Sequence, residues 1–154
     1  MRFARATSGQ AVESPLPTDG TARTLGPATV GLLLLDGVGG LLAVASGWNT
    51  PAEAWAGRAV AAAPAPVMVA QAALAAAAVR WPDRRGGAAA GLLSGVCAVS
   101  ALSGFFDGQL AKQGLPRHLL WVQVLLVAAT SGVGALAAVR GRRLLGAGDA
   151  GGGR

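Results

Sequence analysis

The run from Ala28 to Gly47, ATVGLLLLDGVGGLLAVASG, holds a single charge in a stretch long enough for an α-helix to cross the ~30 Å hydrocarbon core of a bilayer. Three further apolar runs follow, at 59–79, 87–106 and 118–139, and all the charge except Asp36 falls in the short segments between the runs and in the two tails. A chain patterned in this way has few folds open to it. In hydrocarbon every backbone polar group needs an internal partner, so spanning segments of this length are helices. The expectation is an all-α integral membrane four-helix bundle with short loops and flexible N- and C-terminal tails.

Composition agrees with a membrane. Apolar residues make up 53% of the 154-residue chain and charged residues 13%, against roughly 25% charged in a soluble domain. The run 59–79 is the weakest, being mostly alanine with Pro64, Pro66 and Gln71. It is read as a span because Arg80, Arg84 and Arg85 follow it as a stop, and because prolines near a helix end remove few backbone hydrogen bonds. Segment 1–27 mixes charge with Ser, Thr and Pro and reads as a disordered cytoplasmic tail. Segment 140–154 reads as a basic, then glycine-rich, cytoplasmic tail. The length of the first apolar run and its central aspartate favour an uncleaved anchor over a signal peptide.

Of the thirteen Lys and Arg residues, ten fall in the two tails and the second loop and three in the other loops. The positive-inside rule then places both termini in the cytoplasm of a multi-pass cell-membrane protein. Trp48, Trp55, Trp81 and Trp121 all fall at expected interfaces, where an indole satisfies both its apolar body and its N–H. The net charge of +6 does not gather on one face, so no nucleic-acid partner is expected. Expected partners are the lipid bilayer and either a second copy of the chain or another membrane protein. The alanine and glycine content suggests a high-GC bacterial genome.

Helices associate in lipid through small residues and interhelical hydrogen bonds. At ~100° per residue, Asp36, Gly39, Gly40, Ala43 and Gly47 share one face of the first helix, with Leu34, Val38 and Leu41 opposite. Gly91 and Gly95 form a GxxxG pair beside Ser94 and Ala98, and Thr130, Gly134 and Ala138 repeat the spacing in the fourth helix. When the spans are threaded in alternating directions, Asp36, Gln71, Cys97, Thr130 and Ser131 fall near their midpoints. These five are the candidate site, a polar layer at mid-membrane.

Enzymatic chemistry finds little support. Cys97 is the single cysteine, which leaves no intrachain disulfide or thiolate cluster. His118 is the single histidine. Ser103 is the nearest serine in depth, without a nucleophile-elbow pattern, and no metal-ligand spacing is present. Asp107 reads as the polar end of the third helix entering a turn with Gly108. No catalytic residue, metal or cofactor is expected.

Two readings of Asp36 remain. In the first it is a neutral carboxyl, since burial disfavours the charged form. It then donates to Gln71 or Thr130 and fixes helix register in a non-enzymatic structural or accessory membrane subunit. In the second, an ionisable group at mid-bilayer, which costs on the order of 3 kcal/mol to insert, is retained for function. Asp36 is then the proton site of a small proton-coupled transporter acting as an oligomer. That architecture resembles the small multidrug resistance exporters, which also have four short spans and an acidic residue central to the first. The resemblance covers the span count and Asp36. The family uses glutamate there and membrane-embedded aromatics, whereas this chain has no tyrosine and places its tryptophans at the interfaces.

Overall fold

The computed structural model describes residues 20–56, 60–106 and 116–149. Residues 1–19 of the expected N-terminal tail, Asp107, and the last residues of the C-terminal tail lie outside them. Among the described residues there are four α-helices and no strand: α1 Gly20–Ala45, α2 Ala65–Arg80, α3 Arg84–Phe106 and α4 Arg117–Asp149. Three of them, α1, α3 and α4, are long and apolar enough to cross a membrane.

Each helix packs on its chain neighbours, and α1 closes the ring against α4. The α3–α4 interface is the most extensive. It is antiparallel: a side chain at Gly87 would meet Leu144 and Leu145, one at Gly104 would meet Val127, and Gly134 faces Cys97. Arg23, Arg80, Arg84, Arg85, Arg142 and Arg143 consequently sit at helix ends on one side of the bundle. Its exterior is apolar, with Leu34, Leu41, Val69, Leu92, Val99 and Trp121 all exposed, as suits a surface facing hydrocarbon rather than water.

Helix α1 starts at Gly20, inside the expected tail, and runs through Gly26 and Pro27. Proline in a helix interior removes one hydrogen bond and strains the turn before it. Packing overrides this local preference. Leu25 is fully buried in a cluster with Ala75 and Ala78, so the first turns of α1 lie against the end of α2. Thr29 donates its hydroxyl to the Leu25 carbonyl at 2.9 Å, bracing the turn that follows the proline.

The far end of α1 is closed by Gly47, whose φ is +72°. Gly47 N–H donates to the Val44 carbonyl at 3.0 Å and Trp48 N–H to the Ala43 carbonyl at 2.9 Å. This pair of bonds is the Schellman arrangement, which needs a left-handed residue at the turn. Gly47 was expected on the packing face; it is exposed and serves the cap instead. Gly47→Ala should lower stability by about 1 kcal/mol, the penalty of left-handed backbone for an L-residue. A thermal or detergent unfolding curve unchanged from the parent would contradict that assignment.

The largest departure from the expected layout concerns the run 59–79. Its helix begins only at Ala65, after Pro64, with Pro66 in the first turn, where a missing N–H is harmless. Sixteen residues rise about 24 Å, less than the ~30 Å core. Residues 60–64 are not helical. Irregular backbone at membrane depth is tolerated only when enclosed by protein or lining a cavity, and this segment does both. Val60 and Ala61 are buried, and 61–64 form one wall of a cavity.

At the other end, α2 and α3 are joined by Trp81, Pro82 and Asp83. Asp83 caps α3, its Oδ1 accepting from the Arg85 and Gly86 N–H groups at 3.0 and 3.2 Å. Helix α4 runs on to Asp149, so the expected tail from residue 140 begins as helix. Arg140, counted among the tail's cations, is buried, and its Nε donates to the Ala78 carbonyl at 2.6 Å.

Candidate functional site

Asp36 stands nine residues, about 13 Å of helical rise, before the end of α1 and is 3% exposed. The α1 face expected to meet protein does so: Asp36, Gly39, Gly40 and Ala43 are buried, while Leu34, Val38 and Leu41 point outward. The partner that Asp36 finds comes from the segment between α1 and α2. Ala63 N–H donates to Asp36 Oδ1 at 2.8 Å.

The described residues on either side of 57–59 are held by hydrogen bonds of their own. Thr50 and Glu53 form a reciprocal capping box: the Thr50 N–H and hydroxyl donate to Glu53 Oε2 at 2.9 and 2.8 Å, and Glu53 N–H donates to Thr50 Oγ1 at 3.3 Å. With its amide oriented to satisfy both ends, Asn49 donates to the Trp48 carbonyl at 2.8 Å and accepts from Val60 N–H at 2.9 Å. The Trp55 indole lies over Gly40, and the Trp55 carbonyl accepts from Ala65 N–H at 3.0 Å, tying the turn to the start of α2. Ala61 adopts φ +60°, sparsely populated for a residue with a Cβ. Its carbonyl oxygen rests against Gly39, where any Cβ would overlap it. Glycines 39 and 40 therefore let non-helical chain approach α1 one turn from the carboxylate.

The result is a cavity of about 310 Å³. Asp36, Pro64, Ser100, Gln123, Leu126 and Thr130 are among its lining residues, with the backbone of 61–64. Among the described residues no Lys or Arg lines it. Gln123 is 6% exposed, and its Oε1 has no hydrogen-bond partner. Asp36 and Gln123 thus both contribute to the lining, together with Ser100, Ser103 and Thr130 and apolar side chains otherwise.

The five residues expected in one polar layer are distributed as follows. Asp36 and Thr130 line this cavity. Gln71 is buried, 1% exposed, with its Oε1 unpaired, but is not part of the cavity wall. Cys97 is enclosed in the apolar core with Leu93 and Val133, and its Cβ lies where a side chain at Gly134 would go. Ser131 is exposed; its hydroxyl donates to the Val127 carbonyl of its own helix at 2.8 Å, and it borders an outer groove between α3 and α4. Gly91 and Gly95 also face outward, with nothing within reach of an added side chain, so α3 buries Ala90, Leu93 and Cys97 instead.

Gln123 was overlooked by the sequence reading, although a signal was present. Leu119, Gln123, Leu126, Thr130, Val133 and Ala137 recur at intervals of three and four and form the buried stripe of α4. Gln123 and Thr130 are thus two turns apart on the inward face. His118 does not meet Ser103. Its Nε2 pairs with Ser46 Oγ at 3.1 Å, an exposed tie between the end of α1 and the start of α4. Among the described residues, no three His, Cys, Asp or Glu side chains gather at a metal-binding distance.

Fold and site together define a class: among the described residues, a bundle of four α-helices, three of them long and apolar enough to cross a membrane, with a buried aspartate on a half-open cavity walled on one side by non-helical chain. No known protein family, no curated protein and no solved structure matches this chain.

Proposed function

We propose that this chain is a small, non-enzymatic, multi-pass cell-membrane protein that moves a solute by proton coupling, with Asp36 as the proton site. The observation that carries the reading is the position of Asp36 on the wall of a cavity rather than inside a sealed side-chain network. A carboxyl kept for register alone would be spent on a neighbouring helix. Here its one described partner is a backbone N–H from a segment whose backbone also lines the cavity. Among the described residues Asp36 is the single ionisable side chain on that wall. Both termini are cytoplasmic in this reading, in line with the arginines gathered at one end of the bundle. Four thin helices enclose little space, so the working unit is an oligomer.

The test needs no substrate. An infrared titration of the full chain in lipid, from about pH 5 to 9, follows the protonated-carboxyl band, with Asp36→Asn as control. The expected result is a band absent from the variant that disappears reversibly as pH rises. A band belonging to Asp36 that persists across the range would mean a permanently neutral hydrogen-bond donor. The protein would then be the structural or accessory subunit of the other reading.

A further inference from the structure

We propose that the arginine-bearing end of the bundle is a docking surface for anionic phospholipid headgroups, which it holds through guanidinium–phosphate contacts. This surface is separate from the Asp36 cavity and requires only that the helices cross a bilayer. The fold gathers there what the sequence scatters. Arg23 stands in the first turn of α1, Arg80 ends α2, Arg85 opens α3 and Arg142 lies late in α4. A Cβ added at Gly26 would lie 4.0 Å from Val79 Cγ2, which joins the start of α1 to the end of α2. One added at Gly87 would meet Leu145 Cγ at 3.1 Å, which joins the start of α3 to the end of α4. Arg140 Nε reaches the Ala78 carbonyl at 2.6 Å, which joins α4 to α2. Each helix thus brings an arginine to the same end.

Arg23, Arg80, Arg85 and Arg142 are all exposed. Among the described residues none of the four has a hydrogen-bond or ion-pair partner for its guanidinium. Asp83 lies in the same turn, but its Oδ1 is taken up by the Arg85 and Gly86 N–H groups that open α3. The surface is therefore cationic in excess, and it is rich in one particular donor. A guanidinium keeps its charge at any physiological pH and presents a planar fork that matches phosphate oxygens two at a time.

The neighbours of these arginines select a lipid over a soluble polyanion. Val79 and Trp81 flank Arg80 in the chain, and Val139 and Leu145 stand one turn to either side of Arg142 on α4. All four are exposed. An acidic peptide would meet the charges and leave these apolar side chains in water. An anionic phospholipid gives its phosphate to the guanidinium and its acyl chain to the apolar neighbour. The exposed Trp81 indole sets the depth, because its ring and its N–H are both served where headgroups meet hydrocarbon.

Electron spin resonance tests this on the full chain in phosphatidylcholine bilayers carrying trace spin-labelled phosphatidylglycerol or phosphatidylcholine. The motionally restricted fraction of each label gives the ratio of their association constants. Expected at low salt is a ratio of about five or more in favour of phosphatidylglycerol, the factor that one arginine at an anionic surface contributes. It should fall as sodium chloride is raised to about 0.5 M. The variant Arg80→Gln/Arg85→Gln/Arg142→Gln should bring the ratio to about two or below. Arg117→Gln removes an exposed cation at the opposite end and should leave it unchanged. Helical content and melting establish that the triple variant folds, and the salt dependence of the parent tests the charges without any substitution. A parent ratio near one overturns the proposal, as does a full preference in the triple variant or an equal loss in Arg117→Gln. Inorganic phosphate or an oligo-aspartate peptide that removes the preference, where sodium chloride of equal ionic strength does not, would assign the surface to a soluble anion and overturn lipid docking. Restricted lipid of neither kind would mean that the helices do not cross the bilayer, and the proposal would fall with the membrane reading. An Asp36 infrared band that fails to titrate removes proton coupling and leaves this surface standing.

Discussion

Replacing Gly39 with valine should destabilise the protein by about 3 kcal/mol and detach the segment at 60–64 from α1. The first Cβ atom at this position overlaps the Ala61 carbonyl oxygen, and on its other side it meets Val122 Cγ1 at 3.1 Å. A flexible side chain could turn away, but a backbone carbonyl held by an ordered turn has no such freedom. Overpacking of this kind costs about 1–3 kcal/mol. If the segment moves off, the bond from Ala63 N–H to Asp36 goes with it, which adds about 1 kcal/mol for the lost hydrogen bond. Gly37 provides the control: it is two residues away on the same helix, with nothing within reach of an added Cβ. Gly37→Val should stay within about 0.5 kcal/mol. Reversible unfolding in mixed micelles reads the difference, and equal midpoints for the two variants would refute the close approach of 60–64 to α1.

The second large effect is expected at Arg140. This side chain is 2% exposed, and its Nε donates at 2.6 Å to the carbonyl of Ala78. Ala78 lies in the last turn of α2, whose carbonyls lack helical partners and whose dipole favours a cation. Arg140→Met keeps much of the chain's length and removes the donors, leaving a buried carbonyl unpaired. The expected loss is about 1.5–3 kcal/mol, the range for hydrogen bonds that involve a charged group. Arg142 is exposed one turn end away, and Arg142→Met should change stability by no more than about 0.5 kcal/mol. Indistinguishable unfolding curves for the two methionine variants would show that Arg140 is an ordinary surface cation.

Gly39 and Arg140 also show where sequence reasoning reaches its limit. A glycine in an apolar helix carries the same local signal whether it faces outward into open space, as Gly95 does, or receives a backbone carbonyl, as Gly39 does. An arginine near a chain end counts toward topology wherever its side chain goes. The second helix illustrates the same point through backbone chemistry. Pro64 and Pro66 are compatible with a long helix carrying them near its start and with a short helix that begins at them. Asp36 decides between these, because its carboxylate can accept the N–H of Ala63, a group that helix would otherwise have used internally. The TPAE stretch from Thr50 did carry a local signal, the spacing of a capping box, which helps to order the connection.

What the sequence by itself determined is the solvent and the broad class. Apolar runs of spanning length, separated by charge, commit the chain to helices because hydrocarbon offers the backbone no other partner. The small-residue side of α1 follows from the same local periodicity, and Asp36 lies on it because helical geometry fixes angle from spacing. The cavity was decided by tertiary structure alone. It requires residues 61–64, α3 and α4 to meet around one carboxylate, and each contact joins positions distant in the chain. Such contacts are selected by the packing of the whole bundle, which brings Gln123 to the same cavity as Asp36 and sends Cys97 and Ser131 elsewhere.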